Sequence, residues 1–374
     1  LVYANWDAEE YGLVGSTEWA EEHEKTVDQK IALLLNVDSA VSGKDLSMSG
    51  VPSLRDLALD AAGAVTDVRT GRTLRDIWLA ARHSAWAGSS PLGLSDPLWD
   101  EAASGSASQP RLRSRRFIPQ LRPLGSGSDY TAFLDHLGVP SLDIGFSGNY
   151  GVYHSIYDDF TWMEKFGDPE FLTHTMAARL YTAIALRAAA AEVLPLRFTP
   201  YGLALRDHVD ELRLIQARHI RTKASPAGGS NSKEEAADDT FEGLPSLVAA
   251  VRAFQARAEE VDRALDGLTA RDAVADGALA KLNDLLVRVE RAFLLPAGLP
   301  GRPWFRHAIY APGVTTGYGA WPLPAVREAL ESPGKEKLGP RVARTVAVLK
   351  TATAELGKVL EAARSDAATV GQAR

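Results

Sequence analysis

Three carboxylates stand within four residues at Asp7-Ala8-Glu9-Glu10, directly after an apolar opening stretch. Adjacent glutamates point in different directions, so one can hold a cation while the other faces a substrate. Taken alone, the group also reads as a solvated acidic turn. Asp38 follows the apolar run IALLLNV. At the carboxyl end of a buried strand, an Asp sits where open α/β sheets bind ligands. It can equally make an Asx turn or a helix cap. Tyr153-His154 closes a glycine-bearing stretch, 145–151, after a third apolar run. A lone His is more often structural, but Glu10, Asp38 and His154 each fall just beyond a predicted strand. Two carboxylates and an imidazole at one sheet edge are donors that divalent metals such as zinc accept. Glu9 is then free to act as a general base, and Tyr153 can donate its hydroxyl to a developing oxyanion.

Strands must carry these residues to a common edge. Residues 1–6 read as a strand, Ser16-Thr17 as the cap of a helix, and 31–37 as a buried central strand. A helical stretch within 61–87 places Leu74, Ile77, Trp78 and Ala81 on one face. Residues 128–137 read as a short helix stopped by Gly138, 140–146 as a strand, and 171–194 as an Ala-rich helix ended by Pro195. This alternation predicts an α/β fold with a mostly parallel sheet and flanking helices. The second half differs. Residues 200–221, 241–268, 271–295 and 340–368 carry helical periodicity, which predicts an all-α bundle. The boundary is therefore placed near Pro195, giving units of 1–195 and 196–374. Two stretches read as loops. Residues 91–123 include the Arg-rich RLRSRR at 111–116, a solvated insertion, and 222–240 is polar, flexible and low in complexity.

The chain has 374 residues, 45% hydrophobic and 24% charged, which suits two packed domains. Its 48 acidic and 41 basic residues argue against a general nucleic-acid partner. Cysteine is absent, so disulfides and thiolate metal sites are excluded. No apolar run is long enough to span a bilayer. The sequence opens at Leu1 without an initiator Met and reads as a fragment.

Longer motifs add a resemblance. NWDAEEYGLVGSTEWAEE, NVDSAVSG, LGSGSDYTAFLDHLGVPSLD and YHSIYDDFTWMEKFGDP resemble the glutamate carboxypeptidase II family of co-catalytic dizinc peptidases. LPLRFTPYGLALR and LVRVERAFLLPAGLPGRPWFRHAIYAP resemble its helical dimerisation domain, shared with transferrin receptor. The resemblance implies a homodimeric zinc exopeptidase acting on peptides. Glu9 becomes the general base toward the attacking water, and Tyr153 the residue that steadies the tetrahedral intermediate. Glu10 and His154 become ligands of one zinc and Asp38 of the other. Glu18 and Glu21 match carboxylates that hold calcium in relatives; their alternative is an exposed helix face. An extracellular, periplasmic or membrane-anchored setting is also implied.

The sequence departs from the pattern in two respects. The family uses a His and a bridging Asp upstream of DAEE, where only residues 1–6 stand. Two donors on one zinc and one on the other are too few, so the fragment is expected to be inactive alone, with exposed sheet edges and apolar surface. Substrate-binding positions differ as well. Asp143 and Gly145 stand where glutamate-specific relatives have arginines, Ser128 where they have an Asn, and Gly317-Tyr318 where they have Lys-Tyr. Strict selection for glutamate is therefore not expected; neutral or apolar C-terminal residues, or free amino termini, are. The competing expectation is a non-catalytic, dimeric receptor of the transferrin-receptor type, and a different metal hydrolase on the same fold is a third.

Overall fold

The computed structural model describes residues 1–88, 117–224, 241–269, 276–331 and 337–372. The RLRSRR segment and most of the polar 222–240 loop lie outside the described residues.

Residues 1–6 do not form the expected strand. Leu1, Val2 and Tyr3 are exposed, and among the described residues no strand pairs with them. The first helix, α1 (Val14–Glu22), starts earlier than its Ser-Thr pair suggests. The Ser16 hydroxyl donates to the Leu13 carbonyl inside the first turn, at 3.2 Å, so it is not the cap. Then follow α2 (Glu24–Lys30), β1 (Leu34–Asn36) and β2 (Asp45–Gly50). Two helices, α3 (Arg55–Gly63) and α4 (Leu74–Gly88), precede β3 (Ser141–Ser147).

Among the described residues the sheet has order β1-β3-β2. β1 runs parallel to β3, with Asn36 opposite Asp143, and β2 runs antiparallel, with Ser49 opposite Asp143. The mostly parallel sheet is thus met only in part. β2 was missed because its serines and closing Gly50 mute the apolar alternation. β3 shows the period of two: Leu142, Ile144 and Phe146 are buried on one face, while Ser141, Asp143 and Gly145 take the other.

After a short α5 (Phe160–Trp162) comes α6 (Leu172–Ala190), then, with no further strand among the described residues, α7 (Thr199–Ala224), α8 (Leu244–Thr269), α9 (Asp276–Arg291), α10 (Pro324–Glu331) and α11 (Leu338–Gln372). α7 extends through the first residues of the expected loop. α11 lies along α8 and α9, and α7 along α8. A continuous apolar core runs from Met48 on β2 to Ala363 on α11. A smaller one joins Ala20, Val27, Ala132, Phe133, Leu137 and Val139, with Trp6 and Trp19 packed on it.

Candidate active site

Glu9 and Glu10 begin a single 3-10 turn, Glu9–Tyr11, that sits beside this smaller core. The Glu9 carbonyl accepts the amides of Gly12 and Leu13, at 3.0 and 2.8 Å. Ala8 and Leu13, on either side, take left-handed backbone with φ of 55° and 60°. Gly15 is needed for close approach, since a Cβ there would lie 2.4 Å from the Asp7 carbonyl oxygen.

Asp38 lies exposed on the loop that continues β1. Ser39 is left-handed (φ 49°), and its hydroxyl donates to Asp38 Oδ1 at 3.3 Å. The loop crosses β3 at Gly145, where a Cβ would meet the Ser39 carbonyl at 3.2 Å. Gly145 therefore lets the Asp38 loop lie flat on the sheet.

The GSGSD loop, 125–129, comes next. The Ser126 amide donates to the Tyr318 carbonyl at 3.1 Å. A Cβ at Gly127 would fall 2.9 Å from Tyr318 Cβ. These glycines let Tyr318 lie against the loop. Buried Asn36 ties the loop to the sheet: its Nδ2 donates to Ser128 Oγ at 2.8 Å and to Asp143 Oδ1 at 3.0 Å.

His154, also left-handed (φ 60°), brings Nε2 within 3.0 Å of Glu10 Oε1. Its ring stacks on Tyr153 with centroids 3.9 Å apart. Downstream, Ile156, Tyr157 and Phe160 expose apolar surface.

Electrostatics joins these segments. Glu9 is held above the usual carboxylate range, first by burial and then by Asp38, Glu10 and Asp129, against the pull of His154. Burial, then Asp38, Glu10, Glu9 and Tyr318, raises Tyr153. Burial pushes Asp143 up to about 6; the Asn36 hydrogen bond opposes this and Asp38 adds to it. Asp129 is raised by burial and by Asp38, against a hydrogen bond from Ser16.

The structure thus brings Glu9, Glu10, Asp38, Ser128, Asp143, Tyr153, His154 and Tyr318 into one neighbourhood. It does not bring Glu10, Asp38 and His154 into one coordination group. Among the described residues no three His, Asp or Glu side chains converge to hold a metal. The donor types of the Glu10–His154 pair suit zinc, but their number falls short of the usual three. Glu18 and Glu21 stand apart on α1, and Glu21 accepts the Trp304 indole N–H at 2.6 Å. Sequence reasoning missed Asn36 and Asp129. Asn36 is a polar residue closing an apolar strand, and Asp129 directly follows the glycine-serine loop; both were visible signals.

The structure joins an α/β segment to a helical half, and each matches a known family model. Residues 1–74 match the family model of peptidase family M28, and 242–357 that of the transferrin receptor-like dimerisation domain. A protein of Arabidopsis thaliana named probable glutamate carboxypeptidase LAMP1 is 33% identical over 336 residues, 90% of this chain and 41% of that protein. One of Arthroderma benhamiae named probable glutamate carboxypeptidase is 33% identical over 341 residues, 89% of this chain and 39% of that one. Aminopeptidase NAALADL1 of Rattus norvegicus is 27% identical over 332 residues, 84% of this chain and 38% of that one. The chain spans about two fifths of the length of these curated relatives. It is related to the glutamate carboxypeptidase II family, as its motifs imply.

Proposed function

We propose that this chain forms part of a zinc-dependent exopeptidase, with residues 1–195 as its peptidase domain and 196–374 as its dimerisation domain. In this reading Glu9 is the general base: it takes a proton from the attacking water and hands it to the leaving amine. The Tyr153 hydroxyl donates to the oxyanion as it forms. Glu10 and His154 would hold one zinc and Asp38 the other. Bound zinc would lower the pKa of water and polarise the scissile carbonyl. The helical half would pair two copies about a two-fold axis.

One observation carries the reading. Glu9, Glu10, Asp38, Tyr153 and His154 come from three separate segments, yet each acts on at least one of the others. The described residues offer two donors to one metal and one to the other, so hydrolysis needs donors from outside them. The chain alone is expected to be inactive, and a protein extended at its amino terminus active. The test is elemental analysis beside dipeptide hydrolysis, on both forms and on Glu9→Gln. Two zincs per extended chain, with hydrolysis lost but metal kept in Glu9→Gln, supports the reading. An extended form without zinc or hydrolysis sinks it and favours a non-catalytic dimeric receptor.

A further inference from the structure

We propose that Tyr150 and Asp158 form a clasp that positions Tyr153 and His154. The proposal rests on the peptidase reading for the roles of those two residues, and adds the pair that holds them.

Burial of side chains within the loop does not hold them. Residues 151–160 contain no buried residue. A Cβ built at Gly151 would meet nothing within 4 Å. Yet His154, in the middle of this stretch, takes left-handed backbone with φ 60°. A non-glycine residue keeps that conformation only where its surroundings impose it. Its ion pair with Glu10, at 3.0 Å, is too exposed to do so, with side chains 54% and 69% accessible. Two turns shape the loop from inside. The Ser155 amide donates to the Val152 carbonyl at 2.9 Å, and the Asp158 amide to the Ser155 carbonyl at 3.1 Å. Exposed turns of this kind open readily, because water competes for their polar groups.

The two ends of the loop are tied to each other. The Tyr150 hydroxyl donates to Asp158 Oδ1, eight positions along the chain. A hydrogen bond to a carboxylate is stronger than one between neutral groups. Burial, then the bond to Asp158 and its charge, push the Tyr150 hydroxyl up to about 12, so it stays a donor across neutral pH. The Tyr150 ring also stands edge-on to Trp162, with centroids 4.8 Å apart.

Trp162 is a fixed wall. Its amide donates to Asp159 Oδ1 at 2.8 Å, the cap of α5. Its ring lies so close to Gly167 that a Cβ there would fall 2.5 Å away. Asp158 accepts from Tyr150 while its neighbour Asp159 sets the wall on which Tyr150 rests. Both ends of the loop that carries Tyr153 and His154 are therefore anchored at α5. Tyr150 and Asp158 are positioning residues in this reading, since they act through the two residues between them.

Hydrogen exchange of the Ser155 and Asp158 amides tests the first step on the chain as it stands. Tyr150→Phe keeps the ring on Trp162 and removes the donor. Both amides should then exchange about tenfold faster, with the melting temperature unchanged. Hydrolysis at saturating zinc by the protein extended at its amino terminus tests the second step. There Tyr150→Phe should lower kcat about tenfold and leave KM and zinc content unchanged, because Tyr153 donates to an oxyanion that exists only beyond the ground state. Asp158→Ala removes the same bond from the other side and should match it. The double variant should lose no more than either single one. Asp158→Asn keeps an oxygen acceptor and should retain most of the rate. A merely structural contact would instead lower the melting temperature and leave kcat alone. Unchanged exchange in both Tyr150→Phe and Asp158→Ala, full kcat in either, or losses that add in the double variant overturns the proposal. An unaltered extended protein that hydrolyses no peptide sinks the peptidase reading instead, and the exchange comparison still decides whether the pair holds the loop.

Discussion

Asp135 is fully buried, and among the described residues neither carboxylate oxygen has a hydrogen-bond partner. Its main chain is in use, because its carbonyl accepts the amides of Arg306 and His307 at 2.7 and 2.9 Å. The residue sits in a π-helical turn, Ala132–His136, between the GSGSD loop and β3, so the chain cannot easily turn it outward. Burial pushes its carboxyl well above the ordinary 3.8, and the charge of Arg302 only partly opposes this. A raised folded-state pKa means that the native protein keeps a proton that the unfolded chain releases. Stability from this group is therefore greatest at low pH and falls as pH rises from the unfolded value toward the folded one. The slope is at most about 1.4 kcal/mol per pH unit, reached between the unfolded value and the folded one. Asp135→Asn keeps the shape and removes the titration. Urea unfolding of both proteins across that range isolates the effect in the difference between them. Asp135→Asn should gain steadily on the wild type as pH rises. A difference that stays constant across the range would refute the reasoning, since Asp135 would then have a partner or reach solvent.

Three further outcomes are expected. Arg291→Ala should lower stability by about 2–4 kcal/mol in chemical denaturation: its guanidinium donates to the Val27 and Ile31 carbonyls at 3.0 and 2.9 Å and pairs with Asp28. On the proposed reading, Gly145→Val should weaken zinc retention by the extended protein more than it lowers the melting temperature. Its branched side chain strikes the Ser39 carbonyl beneath Asp38, and metal content read beside calorimetry separates the two effects. Tyr201→Phe should cost about 1–2 kcal/mol in unfolding free energy, because Glu290, 1% exposed, loses a 2.8 Å hydrogen bond.

The helical half was legible because its apolar spacing persists over many turns, as in α8 and α11. The sheet was less so. β1 has only three residues, and its run IALLLNV promised more because apolar side chains there also pack on helices. Residues 1–6 read as a strand from their side chains, but a strand needs a neighbour, and no described segment pairs with them. Among the site residues, carboxylates and histidine announced themselves by chemistry. Gly145 did not: its role is close approach, which becomes visible only when the Asp38 loop is seen lying on β3. Asn36 was hidden for a similar reason, since its partners are 92 and 107 residues away in sequence.

Two consecutive residues at the end of α9 explain why the helical half matters to the site. Glu290 accepts the Tyr201 hydroxyl at 2.8 Å and the Ser53 hydroxyl at 3.3 Å, and His307 Nε2 lies 3.2 Å away. Its neighbour Arg291 grips the carbonyls that end α2 and lead into β1. Ser53 follows β2, and β1 leads to Asp38, so both edge strands are fixed from one turn of helix. That rigidity has a use. Ala8, Leu13, Ser39 and His154 all hold left-handed backbone beside the candidate catalytic groups. Such conformations cost about 1–3 kcal/mol each and persist only where surrounding packing imposes them. The α9 turn holds the strands behind these loops, so it steadies a candidate site that it does not touch.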